Sequence, residues 1–247
     1  MRIKANQLVA HRGYQHRFPE NSLLAIHAAI QAGAVNIEID VQLNDQREVI
    51  LFHDSEMERI TGQQGCIHSM ATAQLSDYYC SEPHRLGSAF SSNSITLLAD
   101  LLPLIKRFPQ VNFFIELKEE SIARYGVDVC LASMQLVLQN DMSTIILISF
   151  SEPAVTMAKS FGFLQTALVI RDWGQRNLLT ARTQADYIFV NHQRIGRTER
   201  IEANVPVILY EIGDVLLAEN YLSRGAYAIE TFLIGDMIKH SSLSSSI

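Results

Sequence analysis

Cysteine is scarce in this chain: Cys66, Cys80 and Cys130 make an odd count of three, with no C-x-x-C spacing. That scarcity speaks against a disulfide framework or a zinc–thiolate site, and makes a reducing cytoplasm the expected setting. No apolar run approaches the ~20 residues that span a bilayer, so stable membrane insertion is not expected. The opening Met1-Arg2-Ile3-Lys4-Ala5-Asn6-Gln7 lacks the apolar centre of an export signal. Charge is sparse too. Charged residues are 19% of the chain and the formal net charge is −6. That is the wrong sign and density for a nucleic-acid surface, and unfavourable for docking on anionic membranes. Neither G-x-G-x-x-G nor G-K-[ST] follows the first apolar run, and G-x-S-x-G is missing. A nucleotide cradle and a serine nucleophile therefore lack their signatures.

What the sequence has is a rhythm of short apolar runs and helix-like stretches over 247 residues, 48% of them hydrophobic, enough for a sizeable core. Strands are expected at Leu8–His11, Asn36–Leu43, Val49–His53, Val111–Lys118, Thr144–Phe150, Leu164–Ile170, Ala185–Val190, Val205–Leu209 and Ala226–Thr231. Helical spacing covers Glu20–Ala32, with Gly33 as its cap, then Leu97–Phe108, which Pro103 should kink or split. It recurs at Val127–Gln139, Glu152–Phe161 and Val215–Ser223, the last taken as the final full helix. Residues 54–94 break the rhythm. They are polar, hold little that resembles core, and read as an excursion carried on the scaffold. The serine-rich end, residues 241–247, is expected to be disordered. Repeated strand–helix units imply a parallel sheet covered by helices. Eight of them in this length make one α/β domain, a (β/α)8 TIM barrel with the insertion after its second barrel strand region.

The strand ends carry the chemistry. His11-Arg12 closes the first run, Glu38 and Asp40 alternate with Ile37 and Ile39, His53 ends the third, and Glu116 and Lys118 close the fourth. Residues two apart in a strand share a face, so Glu38 and Asp40 should both face the barrel axis. Like charges crowded there either hold a divalent cation or pair with Arg12 and Lys118. An all-oxygen set suits calcium or magnesium better than zinc, and Glu116 could add a ligand. A histidine pair can divide acid–base labour, although either alone is more often structural. Arg12 offers planar bidentate donors to phosphate, or neutralises a carboxylate. Lys118 either holds a phosphate oxygen, forms a structural ion pair with Glu116, or begins a solvated loop with Glu119 and Glu120. Asn21 or Ser22 could cap the first helix, and Glu20 could join the acidic cluster. His192 ends a strand and could line the mouth.

These residues fall in motifs that resemble one family. “AHRG”, “PEN”, “EIDVQL”, “VILFHD” and “IELK”, in this order and spacing, are similar to the glycerophosphodiester phosphodiesterases, and “ITGQQGCIHSM” and “ITLLADLL” extend the likeness. Roughly residues 8–118 carry nearly all of it. The resemblance implies a TIM barrel that hydrolyses small glycerophosphodiesters to sn-glycerol 3-phosphate and an alcohol. It implies His11 and His53 as the acid–base pair and Glu38, Asp40 and Glu116 as ligands of calcium or magnesium, with manganese a further candidate. Arg12 and Lys118 would hold the phosphate, supported by Glu20 and Asn21.

The C-terminal half departs from that family. Tyr210-Glu211-Ile212-Gly213 stands where a Trp-Thr-Val-Asn-like strand end is common, and Glu230-Thr231-Phe232 where Thr-Asp is common. Glu211 and Glu230 are extra carboxylates near the mouth, while Trp173, Tyr210 and Phe232 either wall the alcohol or pack the rim. Two rivals follow: cleavage of lysophospholipids in the manner of a phospholipase D, and a non-catalytic phosphodiester-binding barrel. Headgroup and oligomeric state are not written in the motifs.

Overall fold

The computed structural model of the chain describes residues 3–139 and 142–243. Its strands are β1 (Leu8–Ala10), β2 (Asn36–Leu43), β3 (Val49–Leu51), β4 (Asn112–Leu117), β5 (Ile145–Ser149), β6 (Gln165–Ile170), β7 (Tyr187–Asn191), β8 (Val207–Tyr210) and β9 (Ala228–Thr231). Eight of these pair in parallel in the order β1, β2, β4, β5, β6, β7, β8, β9, and β9 returns to β1, closing a barrel. The expected fold class is thus the observed one.

Strand alternation sorts the side chains. Ile37, Ile39, Val41 and Leu43 of β2 point outward into the main core beneath the helices. Val9, Phe114, Ile146, Ile148, Ala167, Val169, Phe189, Ile208 and Ala228 fill the interior. The barrel is therefore plugged by apolar side chains below, and its polar groups collect at the carboxyl ends of the strands.

The third run differs from a barrel strand. β3 pairs antiparallel with β2, with Val41 opposite Leu51 and Leu43 opposite Val49. The polar Asn44–Glu48 segment makes a turn, and Asn44 Oδ1 accepts from the Gln46 and Glu48 amides at 3.0 and 2.8 Å. The hairpin folds back along β2, so His53 returns towards the end where Asp40 lies.

Helices cover the outside: α1 (Leu23–Gln31), α2 (Leu98–Arg107), α3 (Glu119–Tyr125), α4 (Val127–Leu138), α5 (Glu152–Ala158), α6 (Arg176–Thr183), α7 (Val215–Ser223) and α8 (Ile234–Leu243). Ser22 caps α1, its Oγ accepting from the Ala25 amide at 3.1 Å. Of the two outcomes expected at Pro103, a kink or a split, the split is absent, since α2 runs unbroken around it. Three expectations are corrected. Glu119 and Glu120 open α3 instead of a loop, in the first turn where acidic side chains oppose the helix dipole. Val215–Ser223 is not the last helix, since α8 follows and takes in residues 241–243 of the expected disordered end; 244–247 lie outside the described residues. Finally, β7 reaches β8 through a 3-10 turn, His192–Arg194, with no α-helix between them.

The insertion also holds more core than its composition promised. Met57, Ile60, Ile67, Leu75 and Cys80 pack with Ile50, Phe52 and Ile95 as a separate buried cluster. Ile60 and Leu75 sit on single helical turns, Glu58–Thr61 and Thr72–Leu75, and Ile67 opens a 3-10 turn, Ile67–Ser69, all too short to show a period. No single helix among the described residues is long and apolar enough to cross a membrane.

Candidate active site

At the carboxyl rim, Asp40 stands opposite Glu116 in the β2–β4 register, and Glu38 opposite Phe114. Both β2 carboxylates face inward and are almost fully buried, as alternation required. His11 extends β1 by one residue, its amide donating to the Thr231 carbonyl at 3.0 Å, and its Nε2 lies 3.9 Å from Glu38 Oε2.

The chain then turns sharply. Arg12 sits in the left-handed region at φ 53°, a cost that bulky residues accept where surrounding contacts impose it. Those contacts are strong. Its amide donates to Glu38 Oε2 at 3.1 Å and its guanidinium to Glu20 Oε1 at 2.8 Å. Its Nε lies 2.9 Å from Asp40 Oδ2, close enough for charge pairing but out of line for a hydrogen bond. Asn21, also left-handed at φ 52°, clasps Asp40 twice: Nδ2 donates to Oδ2 at 2.9 Å, and the Asp40 amide donates to Oδ1 at 3.0 Å. Ser22, not Asn21, is therefore the helix cap. Lys118 donates to Glu116 Oε1 at 2.7 Å and lies 3.4 Å from Asp40 Oδ1.

His53 follows β3, and its Nδ1 lies 2.5 Å from Asp54 Oδ1. Asp54 Oδ2 accepts from Arg59 Nε at 2.6 Å, and the rest of that guanidinium grips both oxygens of buried Glu20 at 3.0 and 2.8 Å. Glu82, left-handed at φ 46°, accepts the Glu20 amide at 2.7 Å and is held by Arg85. Sequence reasoning missed Asp54, Arg59 and Glu82. Asp54 was visible beside His53 in “VILFHD”, whereas Arg59 and Glu82 lie in the insertion with no pattern to mark them.

Burial and charge set the protonation. Burial and then Arg12 push the His11 imidazole down to about 3, so it is neutral. Burial pushes Glu38 well above the carboxylate range, and Asp40 and Glu230 add to it. Burial and then Glu116 and Asp40 do the same to Glu230. Burial would also raise Asp40, but Arg12 and Lys118 overcome it and hold that carboxyl low. Asp54 behaves likewise, with hydrogen bonds from His53 and Arg59 outweighing burial.

A cavity of about 150 Å³ joins His11, Arg12, Glu38, Asp40, His53, Glu116, Lys118, Tyr210, Glu211 and Glu230 against an apolar wall of Ile148, Phe150, Val169 and Phe189. A larger groove of about 720 Å³ opens at the other end of the barrel, beside Lys4, Asn204 and Tyr227, but contains none of the expected site residues. The smaller cavity is the candidate site because the titratable groups converge there. Three expected rim residues stay outside it. His192 meets Tyr221 edge-to-face, with ring centroids 5.7 Å apart. Trp173 is buried in the outer core and donates to Glu199 Oε1 at 2.7 Å. Phe232 packs over Gly213, where an added Cβ would stand 2.7 Å from its ring.

Two groups of side chains present ligand atoms within 4.8 Å of one another: Glu38, Asp40 and Glu116, and His11, Glu38 and Glu230. Glu38 Oε1 is buried with no hydrogen-bond donor. Oxygen donors and an orphaned carboxylate oxygen fit a hard divalent cation. A closed parallel barrel bearing buried carboxylates, two histidines and an Arg–Lys pair at its carboxyl rim defines a TIM-barrel protein equipped to handle an anionic ester.

The chain belongs to the glycerophosphoryl diester phosphodiesterase family, whose profile matches residues 11–197. It is 32% identical over 119 residues to a glycerophosphodiester phosphodiesterase of Bacillus altitudinis, covering 48% of this chain and 47% of that one. It is 35% identical over 123 residues to an uncharacterized Bacillus subtilis protein, YqiK, covering 49% of each. These alignments span about half the length of the relatives. An Oleispira antarctica phosphodiesterase, solved in complex with the product sn-glycerol-3-phosphate, shares the fold with a TM-score of 0.81. Its identity to this chain is 21%, over 96% of both chains.

Proposed function

We propose that this protein hydrolyses glycerophosphodiesters to sn-glycerol 3-phosphate and an alcohol, with a divalent cation at Glu38, Asp40 and Glu116. The observation that carries the reading is the convergence of neutral His11, Asp54-paired His53, Arg12 and Lys118 on one cavity with that carboxylate triad. A cation bound there would supply positive charge to the phosphate oxygens as negative charge builds in the transition state.

The protein's own groups do the rest. Arg12 and Lys118 orient the phosphate and share its charge. His11, held neutral, accepts a proton from the nucleophile: either water, which gives glycerol 3-phosphate directly, or a glycerol hydroxyl, whose attack expels the alcohol and leaves a cyclic phosphate that water then opens. The arriving phosphate anion raises its basicity. His53, oriented by Asp54, protonates the departing alkoxide. The apolar wall around Phe189 keeps water from the opposite side of the cavity.

The test is a panel of metals against headgroups. Released glycerol 3-phosphate is read with glycerophosphocholine, glycerophosphoethanolamine and glycerophosphoglycerol, and released choline with lysophosphatidylcholine, each with calcium, magnesium or manganese and with EDTA. Turnover that EDTA abolishes and a cation restores supports the reading. Silence across the whole panel overturns it, and turnover of a lysophospholipid alone moves the activity to the lipid-cleaving rival.

A further inference from the structure

Glu230 stands inside the barrel on β9, 3% exposed, with no hydrogen-bond donor for its carboxylate among the described residues. A buried carboxylate without donors costs several kcal/mol in isolation, about the range for a poorly compensated buried ion. Its ligand atom lies within 4.8 Å of those of His11 and Glu38. Glu38 is in turn the carboxylate shared with Asp40 and Glu116, and its Oε1 is buried and unpartnered.

The cavity wall carries Glu38, Asp40, Glu116, Glu211 and Glu230 against two side-chain cations, Arg12 and Lys118, so carboxylates outnumber cations there.

We propose that Glu230 is a fourth carboxylate of the cation-holding set, adding to Glu38, Asp40 and Glu116 a ligand that the family-like motifs do not contain. It rests on the cation reading of the proposed function. An extra oxygen ligand from β9 draws the ion towards His11 and favours a cation with a large, flexible coordination shell, calcium over magnesium.

Calcium titration calorimetry on the EDTA-stripped full chain, with thermal melting of the metal-free proteins, tests this on wild type, Glu230→Gln, Glu230→Asp and Glu38→Gln. Glu230→Gln should weaken calcium binding about tenfold or more, in line with the loss of a supporting ligand. Its metal-free melting temperature should not fall, because the Glu230 side chain makes no hydrogen bond among the described residues that the amide would lose. Glu230→Asp should bind with intermediate affinity. Wild-type affinity in Glu230→Gln overturns the proposal, and so does weakened binding together with a lowered metal-free melting temperature, which marks a structural role. If wild type binds no calcium, or Glu38→Gln binds it normally, the cation reading itself fails and Glu230 falls with it.

Discussion

Asp54 Oδ1 lies 2.5 Å from His53 Nδ1, and the other oxygen of the same carboxylate accepts from Arg59 at 2.6 Å. The carboxylate thus fixes which ring nitrogen of His53 faces the cavity. Asp54→Asn keeps the shape but replaces an acceptor-only group with an amide. Turnover should fall roughly 10- to 100-fold, part of what a positioned acid contributes. Steady-state kinetics should show the loss in kcat more than in KM, and an unchanged kcat would remove Asp54 from the machinery.

Replacing either imidazole is more severe. His11→Ala and His53→Ala should each lower kcat by about 10²- to 10⁴-fold, the usual worth of a general acid or base. Circular dichroism should show the fold intact. Near-normal rates in either variant would refute that residue's assignment.

His11 also makes stability depend on pH. Its folded value is pushed down to about 3 by burial and by Arg12, against ~6.5 in an unfolded chain. Below 6.5 the unfolded chain takes up the proton and the native one resists it. The His11 contribution is therefore whole above 6.5 and is lost as pH falls from 6.5 towards 3. Glu38 and Glu230, shifted upward by burial, act in the opposite sense. The difference in melting temperature between metal-free wild type and His11→Gln isolates the effect. It should shift against wild type between pH 7 and pH 4, and a flat difference would contradict a buried neutral imidazole.

Arg59 joins the insertion to the barrel. Arg59→Met removes two hydrogen bonds to buried Glu20 and one to Asp54. Because Arg59 is itself part-exposed, the cost should be about 1–3 kcal/mol, the range for a charged hydrogen-bonded contact. Chemical denaturation should report the loss, and limited proteolysis should cut first within 54–94. An unaltered cleavage pattern would show that the apolar cluster alone secures the insertion.

The legible parts of this molecule are those where geometry enforces a period. Glu38, Asp40, Glu116 and Lys118 were readable because alternate residues of a strand share a face, and Asp40 indeed pairs with Glu116 across β2 and β4. β3 looked like a barrel strand because apolar content does not record direction, and the polar turn before it was the better clue. α6 went unread because its sequence, Arg-Asn-Leu-Leu-Thr-Ala-Arg-Thr, is polar on most faces. His192 was a candidate for the mouth because it ends a strand, yet it turns into a contact with Tyr221, and of the two readings open for Trp173 the structure shows packing, with a hydrogen bond to Glu199. Arg59 was the least visible. Its partners are 39 residues and 5 residues away, and a contact between an insertion and the barrel leaves no repeat to detect.

The hairpin of β2 and β3 has a further consequence. One half of the proposed proton-transfer pair rides on the closed sheet, and the other rides on an appendage with its own small apolar nucleus. Mild denaturant could therefore loosen the appendage while the staves beneath it stay bound. Catalysis would then fade before global melting, and the gap between the two transitions would measure how tightly the appendage is anchored.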